Sequence, residues 1–407
     1  MGSCRSVGLL SLLVSACCGL LAEENLIVIA FFRVGEYDAK RIRRYWAGSY
    51  EHTRKYPMKL HIPMLLRRAL AAAVVVVSGA AGYASAATPG SSVTLAPLSV
   101  LDGVSYHLDT LRARTRMPEP CAHDKIGTPV MPALKDSLWA SYVGGYNRFS
   151  GDSSHPSDYT RTFQGLLMGV DRQLCCNSLV GISFGYEESI ARTAGARMDS
   201  DTYFIDLYGA VRTGCLNHKL SVGVGLHDFS SRRHGGWDVL DSASGGIDSR
   251  SINVGYELSR DYMVDSRTTF TPFMMMNYSF SHYDSLNEQV GNYAFTSDYA
   301  DQNLLQMGVG ARVAYKFNIV SGWEAATLTT SLAAVVEFSE HRVKGTHRFD
   351  GEGYKVSSMK REPFYGQLGF DLSMPMASQW EMQAGAFGRL GPDRGGVAGN
   401  VGLKYNF

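Results

Sequence analysis

Hydrophobic and polar residues alternate one by one through the C-terminal part of the chain. Between Leu220 and His227, leucine or valine takes every second position, and serine, glycine and histidine take the positions between. This period of two is typical of β-strands, whose successive side chains point to opposite faces of a sheet. From Leu138 to the last residue we mark about twelve such runs. Their centres are Tyr142, Leu167, Phe184, Asp206, Gly223, Gly255, Met275, Gly310, Ala333, Leu368, Gly385 and Leu403.

Alternation of this kind fits either a soluble β-sandwich or a membrane barrel, because both have one apolar and one polar face. The connections favour the barrel. The gaps after the first, third, fifth, seventh and ninth strands are expected to be long and polar, and the intervening gaps are mostly short, as expected of an outer-membrane barrel. Six aromatic residues near strand ends fit interface girdles: Trp139, Tyr262, Tyr315, Phe317, Phe338 and Trp380. The predicted fold is an all-β, transmembrane antiparallel β-barrel of about twelve strands.

A short helix is predicted before the barrel, between Val100 and Arg116. Apolar residues recur there at helical spacing, which predicts an amphipathic helix that Pro118 ends. Its arginines could pair with carboxylates on the polar face of the strands; alternatively, the charges on that face pair with one another. The candidates for pairing with the helix are Arg112, Arg114, Arg116, Glu257 and Glu381.

An export signal is predicted inside the chain. Arg67 and Arg68 precede the apolar run 69–77, and Ala84 and Ala86 form an A-x-A site, so we expect cleavage after Ala86. A transmembrane helix over 69–87 is the alternative, but much of that stretch is alanine and glycine. This pattern favours export by a Sec-type signal peptide.

The residues before the signal do not belong to a normal signal peptide, because they hold further apolar stretches and a basic cluster at 40–44. We expect translation to begin at Met58 or Met64, so that 1–57 is a spurious extension; a lipoprotein signal ending at Cys17 is the alternative. The predicted divisions are therefore 1–57, a signal peptide at 58–86, a minimal passenger with helix and linker at 87–137, and the barrel at 138–407.

Composition narrows the class of protein without naming a ligand. The mean hydropathy of −0.10 is too polar for a helical membrane protein, and a net charge of +1 gives no reason to expect nucleic-acid binding. No spacing of cysteine and histidine predicts a metal or cofactor site. Cys175, Cys176 and Cys215 fall in two short turns at one rim, and a disulfide from Cys215 to one of the other two is a hypothesis that requires Cα atoms within ~7 Å.

Enzymatic chemistry is not expected. His227 with Asp228, or His341 with His347, could be proposed as catalytic pairs, but no G-x-S-x-G motif occurs and the separations do not indicate a triad. Loop and rim histidines are the simpler interpretation.

The end of the chain resembles the signature by which outer-membrane proteins reach the barrel-assembly machinery: Val401, Leu403 and Tyr405 precede a terminal Phe407 at every second position. The region 138–407 also resembles the translocator domain of autotransporters, the type V secretion barrels. The passages that carry this likeness are 270–288, 304–313, 364–372 and 380–390.

The resemblance implies a twelve-stranded barrel in the cell outer membrane, with a helix threaded through its pore. It also implies Sec export, a monomer surrounded by lipid, and display or export of the chain's own short N-terminal segment. Val100 to Arg116 contains no asparagine, so we expect no autoproteolysis at an asparagine pair. The alternative function is that of a small porin-like protein, or of an adhesive protein acting through its long loops.

Overall fold

The computed structural model describes residues 95–115 and 136–407, apart from 152–157, 176, 194, 235–241, 291–292, 300, 319–324, 340–341, 350–351 and 359. The predicted signal peptide with Ala84 and Ala86, and the linker with Arg116, lie outside the described residues. Within them, no helix combines the length and the apolar character that crossing a bilayer requires.

One helix, α1 (Leu95–Arg114), precedes a series of antiparallel strands. The strands are β1 (Asp136–Phe149), β2 (Tyr159–Cys175), β3 (Ser178–Thr193), β4 (Ala196–Thr213), β5 (Leu216–His234), β6 (Ser242–Ser259), β7 (Tyr262–Met263), β8 (Thr268–Tyr283), β9 (Leu286–Val290), β10 (Tyr293–Tyr299), β11 (Gln302–Phe317), β12 (Ala326–Glu337), β13 (Lys344–Phe349), β14 (Glu352–Ser357), β15 (Phe364–Pro375), β16 (Trp380–Leu390) and β17 (Arg394–Asn406).

Twelve of these strands form a closed antiparallel barrel. The barrel closes where β1 pairs with β17, from Ser137 opposite Asn406 to Phe149 opposite Arg394, and closure removes the exposed sheet edges of an open sheet. Each of the twelve predicted strand centres lies in one of the barrel strands, which confirms the predicted fold and strand number. The barrel strands are β1 to β6, β8, β11, β12 and β15 to β17.

The two rims of the barrel differ. At one, called here the short-turn rim, β2 joins β3 and β4 joins β5 through tight turns, and Gly214 adopts a positive φ of 62° in the second. At the other, the long-hairpin rim, β9, β10, β13 and β14 extend beyond the barrel, and β10 pairs with β13. The prediction of a long gap after the third strand is wrong. There β3 and β4 continue to a tight turn at Gly195, where φ is 70°.

The apolar face of the strands points outward and the polar face points inward. Leu226 is 51% exposed, whereas the next residue, His227, is 4% exposed. Tyr315, Phe338 and Trp380 lie on the outer surface, as predicted for girdle residues. Trp139 is an exception: it points into the lumen, where its indole N–H donates to the Tyr208 hydroxyl at 2.8 Å.

Helix α1 lies inside the barrel and is buried over nearly its whole length. It begins at Leu95, five residues before the predicted start, and Pro97 is accommodated in its first turn, where a proline costs no hydrogen bond. The prediction of an amphipathic helix is corrected, because the lumen wall buries both the apolar and the polar residues of α1 as far as Leu111. Polar helix residues such as Asp102 and Asp109 are buried against polar residues of the lumen.

Candidate functional site

Buried polar contacts that could act together line the interface between α1 and the lumen wall. Its first layer, at the long-hairpin rim, is apolar. Leu95, Leu98 and Leu101 of the helix belong to one buried cluster with side chains from the ends of the strands. We call this cluster the apolar collar; its wall residues include Phe149, Tyr159, Met198, Phe229, Ile247 and Leu286.

Below the collar, Asp102 meets a buried arginine of β2. The Arg161 guanidinium lies 3.4 Å from the Asp102 carboxylate and also donates to Glu187, while Asn147 donates a second hydrogen bond to Asp102. Arg161 is 1% exposed. Gly103 makes this approach possible, because a Cβ placed there would lie only 2.8 Å from Arg161 Nη2.

One turn further along the helix, His107 contacts β4, two strands away from Arg161 in the wall. Its Nε2 lies 2.8 Å from the Asp206 carboxylate, which also accepts a hydrogen bond from Ser183 at 3.2 Å. The ring of His107 stacks on Phe204 with 4.0 Å between ring centroids. Contacts with β1 to β4 thus hold this part of the helix.

Asp109 forms the next contact, with Arg389 of β16. Gln367 donates to the same carboxylate at 3.1 Å, and Arg112 donates to it from within the helix at 2.7 Å. The guanidinium of Arg389 also lies over the ring of Tyr106, 3.9 Å from its centroid. This cation is therefore enclosed by helix residues and by the wall.

The end of the helix at the short-turn rim lies among the residues that the sequence singled out. Arg112 Nε is 3.9 Å from Glu257, and the same carboxylate accepts from Arg312 at 2.9 Å and lies 3.5 Å from the Lys219 ammonium. Lys219 also donates to the main-chain carbonyl of Arg112 at 3.3 Å, where a cation favours the helix C-terminus. Both predicted arrangements therefore occur at Glu257. Charges of the lumen wall pair with each other there, and a helix arginine lies close to the same carboxylate.

The remaining predicted partners lie apart from that cluster. The guanidinium of Arg114 lies over the Trp139 ring at 4.9 Å. Glu381 accepts hydrogen bonds from Gln383, at 2.7 Å, and from Ser373. Its pairing with the helix stays a prediction, since Arg116 is outside the described residues.

The two turns that hold the cysteines are neighbours at the short-turn rim, where the amide of Arg212 donates to the carbonyl of Asn177 at 2.8 Å. Cys215 is exposed with a free thiol, and the Cys175 Sγ lies 2.9 Å from the Ser178 hydroxyl. Cys176 is outside the described residues, so a disulfide between these turns stays a prediction.

The histidines do not form the pairs that catalysis would require. His227 points into the lumen, where its ring nitrogens contact Thr202 and Ser251 at 3.0 Å each, while Asp228 is on the outer face. Its interpretation as a rim histidine is therefore wrong. His347 lies in β13 with Nδ1 2.7 Å from the Ser297 hydroxyl, and His341 is outside the described residues. Within the described part of the chain, no group of three or more metal-binding side chains occurs.

The proposed assembly signature lies along the outer side of β17. Tyr405 packs on Trp380 of the neighbouring strand with 4.8 Å between ring centroids, and on Phe407 with 6.1 Å. Phe407 is 61% exposed. These residues are thus available to a partner at the short-turn rim.

Sequence reasoning missed Asp102, Asp109 and Arg161 as contact residues, and although it expected Arg389 to be a lumen charge, it did not identify Asp109 as its partner. Arg161 and Arg389 lie on the predicted polar faces, but their helix partners are far away in sequence: 280 residues separate Asp109 from Arg389. The only local signal is that arginines occupy inward positions of β2 and β16, where they need a partner or water.

A barrel of this strand number, filled by a helix that precedes it, matches one known family. The family model of the autotransporter β-domain covers residues 138–386. The chain belongs to this family. It is thus an outer-membrane translocator of autotransporter type, and the predicted family is confirmed. No curated protein matches the chain significantly.

Solved autotransporter structures share the fold. The translocator domain of the autotransporter NalP from Neisseria meningitidis is similar with a TM-score of 0.59 and 13% identity, over 79% of this chain and 100% of that one. The β-domain of the Bordetella autotransporter BrkA is similar with a TM-score of 0.51 and 13% identity, over 67% of this chain and 99% of that one. At such identities the likeness concerns the fold alone.

Proposed function

We propose that this autotransporter barrel displays the segment preceding α1 on the cell surface and retains α1 in its pore. The observation that supports this most directly is the direction of the helix. Its first residues pack in the apolar collar at the long-hairpin rim, and Arg112 lies near the short-turn rim. Because long hairpins of outer-membrane barrels face the exterior and short turns face the periplasm, the chain before Leu95 would leave on the exterior side.

Export and assembly follow from the same proposal. The signal ending at Ala86 would direct the chain through the Sec pathway, and Val401, Leu403, Tyr405 and Phe407 would present it to the barrel-assembly machinery. The barrel is proposed to act as a monomer and without catalysis, because transport through a β-barrel needs a path and an anchor rather than a reacting group.

The test is the accessibility of an epitope tag placed directly after Ala87 in intact cells. A tag in the Cys175–Asn177 turn is the matched control, since that turn should face the periplasm. We expect the first tag to be labelled and the second to be protected. A heat-modifiable outer-membrane protein in which both tags are hidden would contradict display.

Adhesion through the exterior loops is a second candidate, favoured by the pairing of β10 with β13. This pairing joins two hairpins into one sheet, with Thr296 and Arg348 in register opposite each other. Binding of purified barrel to a surface, lost when 286–299 is replaced by a short turn, would favour adhesion. Surface labelling of the first tag should persist in that variant if display is a separate property.

A further inference from the structure

Helix α1 contains two acidic residues, Asp102 and Asp109, and no others. The sequence from 87 to 94 has none, so these two carboxylates are the acids in the whole stretch from 87 to 115. They are seven residues apart, which is about two helical turns, so both lie on the same side of the helix.

The lumen wall presents two buried arginines at matching positions. Arg161 reaches Asp102 and Arg389 reaches Asp109, and both guanidiniums are nearly inaccessible to solvent. Among the described residues, Asp109 is the carboxylate paired with Arg389, whereas Arg161 has Glu187 as a second partner. A buried cation without a partner is strongly unfavourable.

Other positions of the helix in the pore would break this match. If the helix moved along the pore by four residues, about one turn, Ser105 or Ala113 would take the place of Asp109. Leu98 or Tyr106 would take the place of Asp102. A shift of two turns brings at most one acid to one arginine. The position observed is therefore the one in which both arginines meet a carboxylate.

We propose that the pairs Asp102–Arg161 and Asp109–Arg389 act as a register lock, which stops the outward-moving chain at one position in the pore. The inference rests on the proposed display function, because it concerns how that movement ends. The lock selects for acids seven residues apart on a helix, so the two arginines determine which segment the barrel retains. All four are positioning residues.

The position of the helix can be measured with a cysteine pair in the full-length protein in outer membranes. The hydroxyls of Ser99 and Ser189 are 3.5 Å apart, so Ser99→Cys with Ser189→Cys should form a disulfide in the observed register. The tests are Asp109→Asn alone and with Asp102→Asn. Asp158→Asn is the matched control, since it removes a carboxylate paired with Arg148 at the surface.

We expect the disulfide yield to fall at least about tenfold in the Asp109→Asn variants, because a buried pair has been broken, and to be unchanged in the control. The charge reversal Asp109→Arg with Arg389→Asp should restore it. If single substitutions prevent barrel formation, Asp109→Asn with Arg389→Gln removes both buried charges and should also lower the yield. An unchanged yield in any folded test variant would overturn the lock.

The tag after Ala87 distinguishes this result from failure of display. An exposed tag with an unchanged disulfide yield in the test variants contradicts the lock and leaves display intact. A hidden tag contradicts display. If the tag is hidden and the disulfide yield still depends on Asp109, these pairs hold the helix in the pore without any outward movement to stop. That outcome would overturn their role in stopping the chain.

Discussion

Four single residues form an acidic row across the outer surface of the barrel. Glu188 lies opposite Asp201, Asp201 opposite Asp228, and Asp228 opposite Asp248, on four neighbouring strands. All four are exposed. Like charges directly opposite one another destabilise a sheet by roughly 0.2–1 kcal/mol per pair, so this row lowers the stability of the barrel.

Neutralising one member of the row should stabilise the protein. Asp228→Asn removes repulsion from two neighbours, so we expect the temperature of heat-modified migration to rise, by the equivalent of roughly 0.5–1 kcal/mol. Asp199→Asn is the control, because Asp199 is paired with Arg197 at 2.7 Å and its loss should give no such gain. A lower transition temperature for Asp228→Asn would contradict this repulsion.

A glycine at the helix surface determines how closely Arg161 can approach. Alanine normally favours a helix over glycine by about 1 kcal/mol, but at Gly103 its methyl group would displace Arg161. We therefore expect Gly103→Ala to destabilise the protein by about 1–3 kcal/mol, measured by the same heat-modified migration. Gly395→Ala is the control, since no atom lies within 4 Å of its added Cβ. Equal stability of the two variants would contradict this role of Gly103.

At the scale of elements, the helix is held by two different kinds of contact. At the long-hairpin rim the apolar collar packs around Leu95 and Leu98, and towards the short-turn rim the contacts are ionic. Apolar packing excludes water and ions, whereas a polar interface can admit them. The collar should therefore be the part that prevents leakage.

Weakening the collar should open the pore intermittently. Leu98→Ala removes a nearly inaccessible side chain from the cluster, at an expected cost of about 2–5 kcal/mol, and planar-bilayer recordings should show open events. Leu220→Ala, on the lipid-facing surface, is the control. If instead the combined change of Arg112 and Arg114 to alanine opens the pore and Leu98→Ala does not, the ionic contacts form the seal.

The elements themselves were predictable to different degrees. Strands such as β5 could be predicted because the alternation of apolar and polar residues is a local feature of the sequence. The start of α1 was not predicted, because Pro97 interrupts the helical pattern in the first turn. The burial of the helix could not be predicted either, because it depends on a wall that begins more than twenty residues later in the chain. The ion pairs of Asp102 and Asp109 were missed for the same reason: their partners are set by barrel closure, which no local pattern encodes.

At the scale of the whole molecule, barrel and helix are separable parts. The twelve strands close through main-chain pairing between β1 and β17, and α1 lies inside them without joining their sheet. The barrel should thus tolerate loss of the helix, because its buried charges, including Arg161 and Arg389, would become hydrated in a water-filled lumen.

Deleting 95–115 tests this independence. We expect a heat-modifiable barrel with a conductance that rises from near zero to that of an open pore. Cells should also become more sensitive to large antibiotics that the outer membrane normally excludes. The double variant Asp102→Asn with Asp109→Asn, which keeps the helix, is the comparison for the deletion. Loss of the barrel from the outer membrane after deletion would show that the helix is needed for assembly.

The pairing of β10 with β13 has a consequence for how this surface can evolve. The two strands belong to different hairpins, yet they share a register from Phe295 opposite Phe349 to Tyr299 opposite Gly345, with Ser297 bonded to His347. A residue inserted in one strand would shift its inward-facing side chains outward unless the other strand changed with it. Among related chains, lengths and residue types in these two hairpins should therefore covary, while unpaired connections drift independently.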